Sequence, residues 1–84
     1  MAHITQLKNP IKLHGASPVE QSDKAALIAV RLRNNEGHVH TEQAWFPLSQ
    51  IAIGRGGVVY ADHWIIRKKE EELSEAAGEF LEIL

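Results

Sequence analysis

The stretch Ala25-Ala26-Leu27-Ile28-Ala29-Val30-Arg31-Leu32-Arg33 decides the fold class. Side chains of an extended chain alternate between two faces. Ala26, Ile28, Val30 and Leu32 therefore share one face, and Leu27, Ala29, Arg31 and Arg33 share the other. The first face is apolar throughout. The second begins apolar and ends basic, as one half-solvated face of a sheet would. Asn34-Asn35-Glu36-Gly37 is a turn signal, and residues 38–47 read as the return strand. There Val39, Thr41, Gln43 and Trp45 alternate with His38, His40, Glu42, Ala44 and Phe46. The period fits a strand, but it does not by itself select the buried face.

Outward from this hairpin the signals differ. Residues 8–24 are rich in turn formers (Asn9-Pro10, His14-Gly15, Ser17-Pro18, Ser22-Asp23) and read as a long loop with a short strand at 11–14. Residues 49–53 read as one helical turn or a bend. Arg55-Gly56-Gly57 reads as a hairpin turn and residues 58–60 as a short strand. Asp62 is a good N-cap for a helix that would run from His63 to the C-terminus. Its stripe is Leu73, Ala76, Ala77, Phe80, Leu81 and Leu84, extended upstream by Trp64, Ile65 and Ile66. Gly78 interrupts the stripe and would fray or bend the last turn. The expected fold is a small α+β domain. An antiparallel sheet of three to five strands carries the C-terminal amphipathic helix across it; an open barrel plugged by that helix is the alternative. Trp45, Phe46, Trp64, Ile28, Val30, Leu32, Leu73 and Phe80 are the expected core, and truncating Trp64 would then cost ~3–5 kcal/mol.

Bulk properties narrow the function classes. The 84 residues make one domain, 1–84, with a marginal core. There is no cysteine, which removes thiolate metal sites and Cys nucleophiles and fits a reducing, cytoplasmic setting. The opening stretch, residues 1–8, has no basic segment followed by an apolar core, so no signal peptide is expected. No apolar run approaches the ~18 residues of a membrane span. Residues 1–60 carry six Lys or Arg against four Asp or Glu, and residues 61–84 carry three against seven. The body is mildly basic and the tail acidic.

Catalytic chemistry is poorly provided for. No Gly-x-Ser-x-Gly elbow surrounds a serine, and Gly54-Arg55-Gly56-Gly57 lacks the Lys-Ser/Thr of a phosphate-binding loop. No enzyme activity and no cofactor are expected. His38 and His40 share a strand face and His63 could join them, but polar surface is the favoured reading and no metal is expected. Two binding surfaces remain. Glu71, Glu72, Glu75 and Glu79 would present a negative strip to a basic, nucleic-acid-handling protein, although Lys68 and Lys69 would absorb part of that charge. Arg31, Arg33, Trp45 and Arg55 would bind single-stranded nucleic acid in the manner of a basic, aromatic sheet face, with a purely structural role for Trp45 favoured. Phe80, Leu81, Ile83 and Leu84 crowd the terminus with apolar side chains. They either cap the open end of the sheet or form a self-association surface for a homodimer.

One motif resembles a known group. Trp45, Pro47, Ser49, Gln50 and Ile51, followed by Trp64 and Ile65, resemble the Trp-apolar-Pro-x-Ser-Gln-Ile motif of small phage- and prophage-encoded accessory domains. The likeness covers roughly residues 25–69. The chain departs from the pattern at Leu48, where a Lys is usual, and at Ala61-Asp62-His63, where a Pro-acidic pair is usual. The resemblance implies a small phage or prophage accessory protein in a bacterial host cytoplasm; together with the acidic helix and the small size it points to inhibition of host defence, in the manner of anti-CRISPR proteins, as the concrete form. A role in phage DNA replication or recombination is the alternative. It implies no catalytic residues.

Overall fold

The computed structural model describes residues 6–84. The first five residues belong to the stretch read as lacking a signal peptide, and they lie outside the described residues. The fold is α+β, with seven strands in two antiparallel sheets and one α-helix among the described residues. In chain order these are β1 (Pro10–Leu13), β2 (Ser17–Gln21), β3 (Ala25–Asn34), β4 (Val39–Pro47), β5 (Ile51–Ile53), β6 (Val59–Asp62), α1 (His63–Ala77) and β7 (Leu81–Ile83).

The ten-residue β3 organises the larger sheet. Along one edge it pairs with β4, from Ala25 opposite Pro47 to Arg33 opposite Val39. Along its other edge β2 and β7 lie end to end, β2 beside Ala26–Ala29 and β7 beside Leu32–Asn34. Ala26, Ile28, Val30 and Leu32 are all buried, as their alternation predicts. Asn34 closes the β3–β4 turn: its Oδ1 accepts from the backbone N–H of Glu36 and of His38, both at 3.0 Å. The second sheet has the order β1-β6-β5. The expected hairpin turn at Arg55-Gly56-Gly57 joins β5 to β6. One hydrophobic cluster unites both sheets with the helix: Ile28, Leu32 and Phe46 from the larger sheet, Ile51 and Val59 from the smaller, and Ile65 and Ile66 from α1.

Several expectations are corrected. The helix does not reach the C-terminus. It stops at Ala77, where Gly78 takes the left-handed conformation (φ +71°) and donates to the carbonyls of Ser74 and Glu75. The chain then reverses, and residues 81–83 add a strand to β3. Leu81 and Ile83, two apart in a strand, point the same way into the core. In a helix one packing surface could not bury both. They therefore supply core rather than a self-association surface; Leu84 is half-buried and Phe80 is exposed. Asp62 stands at the N-cap position, but its side chain makes no capping bond; its buried carboxylate accepts from the backbone N–H of Lys8 instead, at 3.1 Å. The loop expected over 8–24 holds β2 as well as the short strand β1. The bend expected over 49–53 is a 3-10 turn at Leu48–Gln50 followed by β5. Finally, Trp45, Trp64 and Phe80 leave the core and are 44%, 49% and 56% exposed, whereas Phe46 is fully buried.

Candidate functional site

Trp64 is the second residue of α1, and its neighbours Ile65 and Ile66 take the buried side of the helix. At 100° per residue, Arg67, Lys68, Glu71, Ser74 and Glu75 fall on the same outward side as Trp64. Beyond the helix, Phe80 projects opposite to the inward Leu81. These side chains line an open groove of about 550 Å³ along the outer face of α1. An exposed tryptophan stands at one end and an exposed phenylalanine at the other.

The ends of the groove are anchored. Trp64 Nε1 donates to Gln50 Oε1 at 2.8 Å, and Gln50 Nε2 donates to Ser49 Oγ at 3.3 Å. The motif residues Ser49, Gln50 and Trp64, distant in sequence, are thus joined in space, and Pro47 opens the 3-10 turn that carries two of them. Across the groove, Ser74 Oγ accepts from the N–H of Leu81 at 2.9 Å and donates to its carbonyl at 3.3 Å. Glu70 Oε2 accepts from the N–H of Ile83 at 2.8 Å. The segment bearing Phe80 is therefore tied to α1 over two turns.

The acidic strip is divided by these contacts. Glu72 is engaged by Lys69 Nζ at 3.2 Å. Glu79 lies past the end of the helix. Glu71 and Glu75 remain on the outer stripe, in line with Arg67 and Lys68. The groove is dipolar, basic toward Trp64 and acidic toward Phe80. Sequence reading missed Arg67 and Lys68 as site residues and gave Phe80 only as part of a self-association surface. The available signal was the spacing of Trp64, Lys68, Glu71 and Glu75, which marks a helical stripe of its own opposite the apolar one.

The other candidate residues are placed as follows. The β3–β4 register sets Leu27 opposite Trp45, Arg31 opposite Thr41 and Arg33 opposite Val39, so Arg31, Arg33 and Trp45 share the outer face of the sheet. Arg33 is bound by Glu82 Oε1 at 2.6 Å. Arg55 sits apart, on the β5–β6 hairpin. His38 and His40 lie at the β3–β4 hairpin near Glu36 and Glu42, and His63 begins α1. No group of three or more His, Asp or Glu among the described residues is placed to hold a metal ion. No helix among them is long and apolar enough to cross a membrane.

Comparison with protein-family models, curated proteins and solved structures returned no match.

Proposed function

We propose that this chain is a non-enzymatic interaction protein that docks on another protein through the outer face of α1. The observation that carries the reading is the pair of half-exposed aromatic rings, Trp64 and Phe80, held by hydrogen-bonded supports at the two ends of one groove. Large aromatic side chains whose position is fixed before binding lose little entropy on association, and they dominate interface energetics.

The Trp-apolar-Pro-x-Ser-Gln-Ile motif suggests a phage-encoded accessory protein, and the acidic residues of α1 make its concrete form an inhibitor of a host-defence machine that handles nucleic acid. A basic surface on such a machine would meet Glu71, Glu75 and Glu79 at the Phe80 end, and Trp64 would supply the apolar anchor. Pull-down from a bacterial host lysate tests this. The expected result is a protein retained by the parent chain, and lost both with Trp64→Ala and with charge reversal at Glu71 and Glu75. Retention that ignores all of these changes would defeat the reading.

A second reading is supported by the β3–β4 register. With Trp45, Arg31 and Arg33 on one exposed face, single-stranded nucleic acid could stack on the indole and pair with the guanidinium groups. Glu82 on Arg33, and Glu20 beside Leu27, weaken the field of this face. Fluorescence anisotropy of a labelled oligonucleotide at low salt decides it. Binding that falls steeply with salt and with Trp45→Ala supports it, and no binding at micromolar protein removes it.

A further inference from the structure

The charges on the outer stripe of α1 are arranged in two halves and have no partners among the described residues. Arg67 and Lys68 lie one turn from Trp64. Glu71 and Glu75 follow toward the end where Phe80 returns. None of the four forms an ion pair among the described residues, although Lys69 with Glu72 and Arg33 with Glu82 do so. A row that is basic at one end and acidic at the other is complementary to itself once it is turned end for end. Trp64, Lys68, Glu71 and Glu75 are separated by four, three and four residues. That mean spacing of about 3.7 keeps the four on one stripe of the helix, along which a second helix can lie.

We infer that the occupant of this groove is a second copy of the chain, packed antiparallel along α1 about a two-fold axis near Glu71 and Glu72. With the axis there, Lys68 of each copy faces Glu75 of the other, flanked by Arg67, and the two Glu71 side chains lie near the axis. Trp64 of each copy reaches the Gly78–Phe80 end of its mate. Nothing lies within 4 Å of where a Cβ at Gly78 would stand, so the turn does not obstruct the approach. The interface is isologous, as a two-fold dimer requires. The seam from Trp64 to Glu75 is only ~16 Å long at 1.5 Å per residue. Its area falls near or below the ~1,200 Å² of the smallest stable interfaces, so the dimer is weak and reversible. Copy and foreign partner compete for one face. The inference rests on reading that face as a docking surface.

Sedimentation equilibrium on the full chain over roughly 10–500 µM tests the inference. The expected result is an average mass that rises from monomer toward dimer, less steeply in high salt. Lys68→Glu alone and Glu75→Lys alone each set like charges across the seam and should weaken association about tenfold. The combination K68E with E75K should restore it. Positions 68 and 75 are two turns apart on one helix, so that rescue cannot arise within a chain. Circular dichroism melts check that each variant is folded. A monomer mass at every concentration overturns the inference, as does a combined variant no better than the singles, or a dimer indifferent to these changes. A monomeric chain that still retains a lysate protein through Trp64 sinks the dimer and leaves the docking reading standing.

Discussion

The indole N–H of Trp64 donates a 2.8 Å hydrogen bond to the side-chain carbonyl of Gln50, which fixes the ring while leaving half of it in water. This separates two roles that sequence alone merges. A tryptophan in a chain with five aromatic residues is expected to be core. Here the core takes Ile65 and Ile66, one and two residues on, and the indole lies over the surface.

Trp64→Ala should therefore cost only about 1 kcal/mol of stability, the sum of partial burial and one solvent-accessible hydrogen bond. Phe46→Ala, which empties a fully buried position, should cost ~3–5 kcal/mol. Urea denaturation of both variants makes the comparison. A Trp64 variant as unstable as the Phe46 variant would return the indole to the core and remove it as a docking anchor.

The contacts between α1 and β7 yield a second prediction. Glu70 receives the N–H of Ile83, and Ser74 both receives the N–H of Leu81 and donates to its carbonyl. Glu70→Ala should cost ~1.5–3 kcal/mol, since a part-buried N–H loses a charged acceptor. Ser74→Ala should cost ~1–2 kcal/mol by loss of two neutral bonds. Hydrogen exchange locates the effect: the Ile83 amide should lose protection in the first variant and the Leu81 amide in the second. Unchanged exchange at both sites would contradict these bonds.

Much of the larger sheet could be read in advance because β3 has one strictly apolar face. Its pairing with β4 then follows from the turn residues between them. The buried face of β4 could not be read, since Trp45 and Phe46 are adjacent and either would serve as core. Pairing decides it: Phe46 lies opposite buried Ala26, and Trp45 opposite the half-exposed Leu27. β2 carries no signal at all. Its five residues are all exposed, Pro18 cannot donate to a ladder, and the register slips between Pro18 and Glu20. β7 is hidden for a different reason. An apolar run such as Phe80-Leu81-Glu82-Ile83-Leu84 suits a helix or a strand, and continuity with α1 favours the helix. Gly78 is the stop signal: it acts as a C-cap and not as a flaw within a longer helix.

Two glycines test the backbone argument against steric contact. Gly78 and Gly15 both have φ near +70°, a conformation that costs an L side chain ~1 kcal/mol or more. At Gly78 an added Cβ meets nothing within 4 Å, whereas at Gly15 it would stand 2.4 Å from Cδ of Arg31. Gly78→Ala should lower stability by about 1 kcal/mol, and Gly15→Ala by more, because Arg31 must also leave its place. In the double background Arg31→Ala, the excess cost at Gly15 should vanish. Thermal melts of the four variants form the cycle, and an excess that survives removal of Arg31 would place the strain elsewhere.

Ending the chain at Gly78 distinguishes a frayed terminus from a structural strand. The deletion removes Leu81 and Ile83, both buried, and with them the pairing of β7 to Leu32–Asn34 of β3. Burying two such side chains contributes roughly 3–6 kcal/mol. A domain of this size has ~5–15 kcal/mol in total, and usually the lower part of that range. Leu84 adds to the loss, since its N–H donates to the carbonyl of Arg31 at 2.9 Å and its carbonyl accepts from His14 at 3.0 Å. Those two bonds fasten the end of the chain to β3 and to the loop after β1. The shortened chain should therefore be largely unfolded at 25 °C, with the dispersed amide spectrum of the parent collapsed. Glu82→Ala in the intact chain is the matched control. It loses a half-exposed ion pair with Arg33 and should cost under ~1 kcal/mol. A truncated chain that keeps a cooperative melt near the parent's would show that these last residues do not close the core.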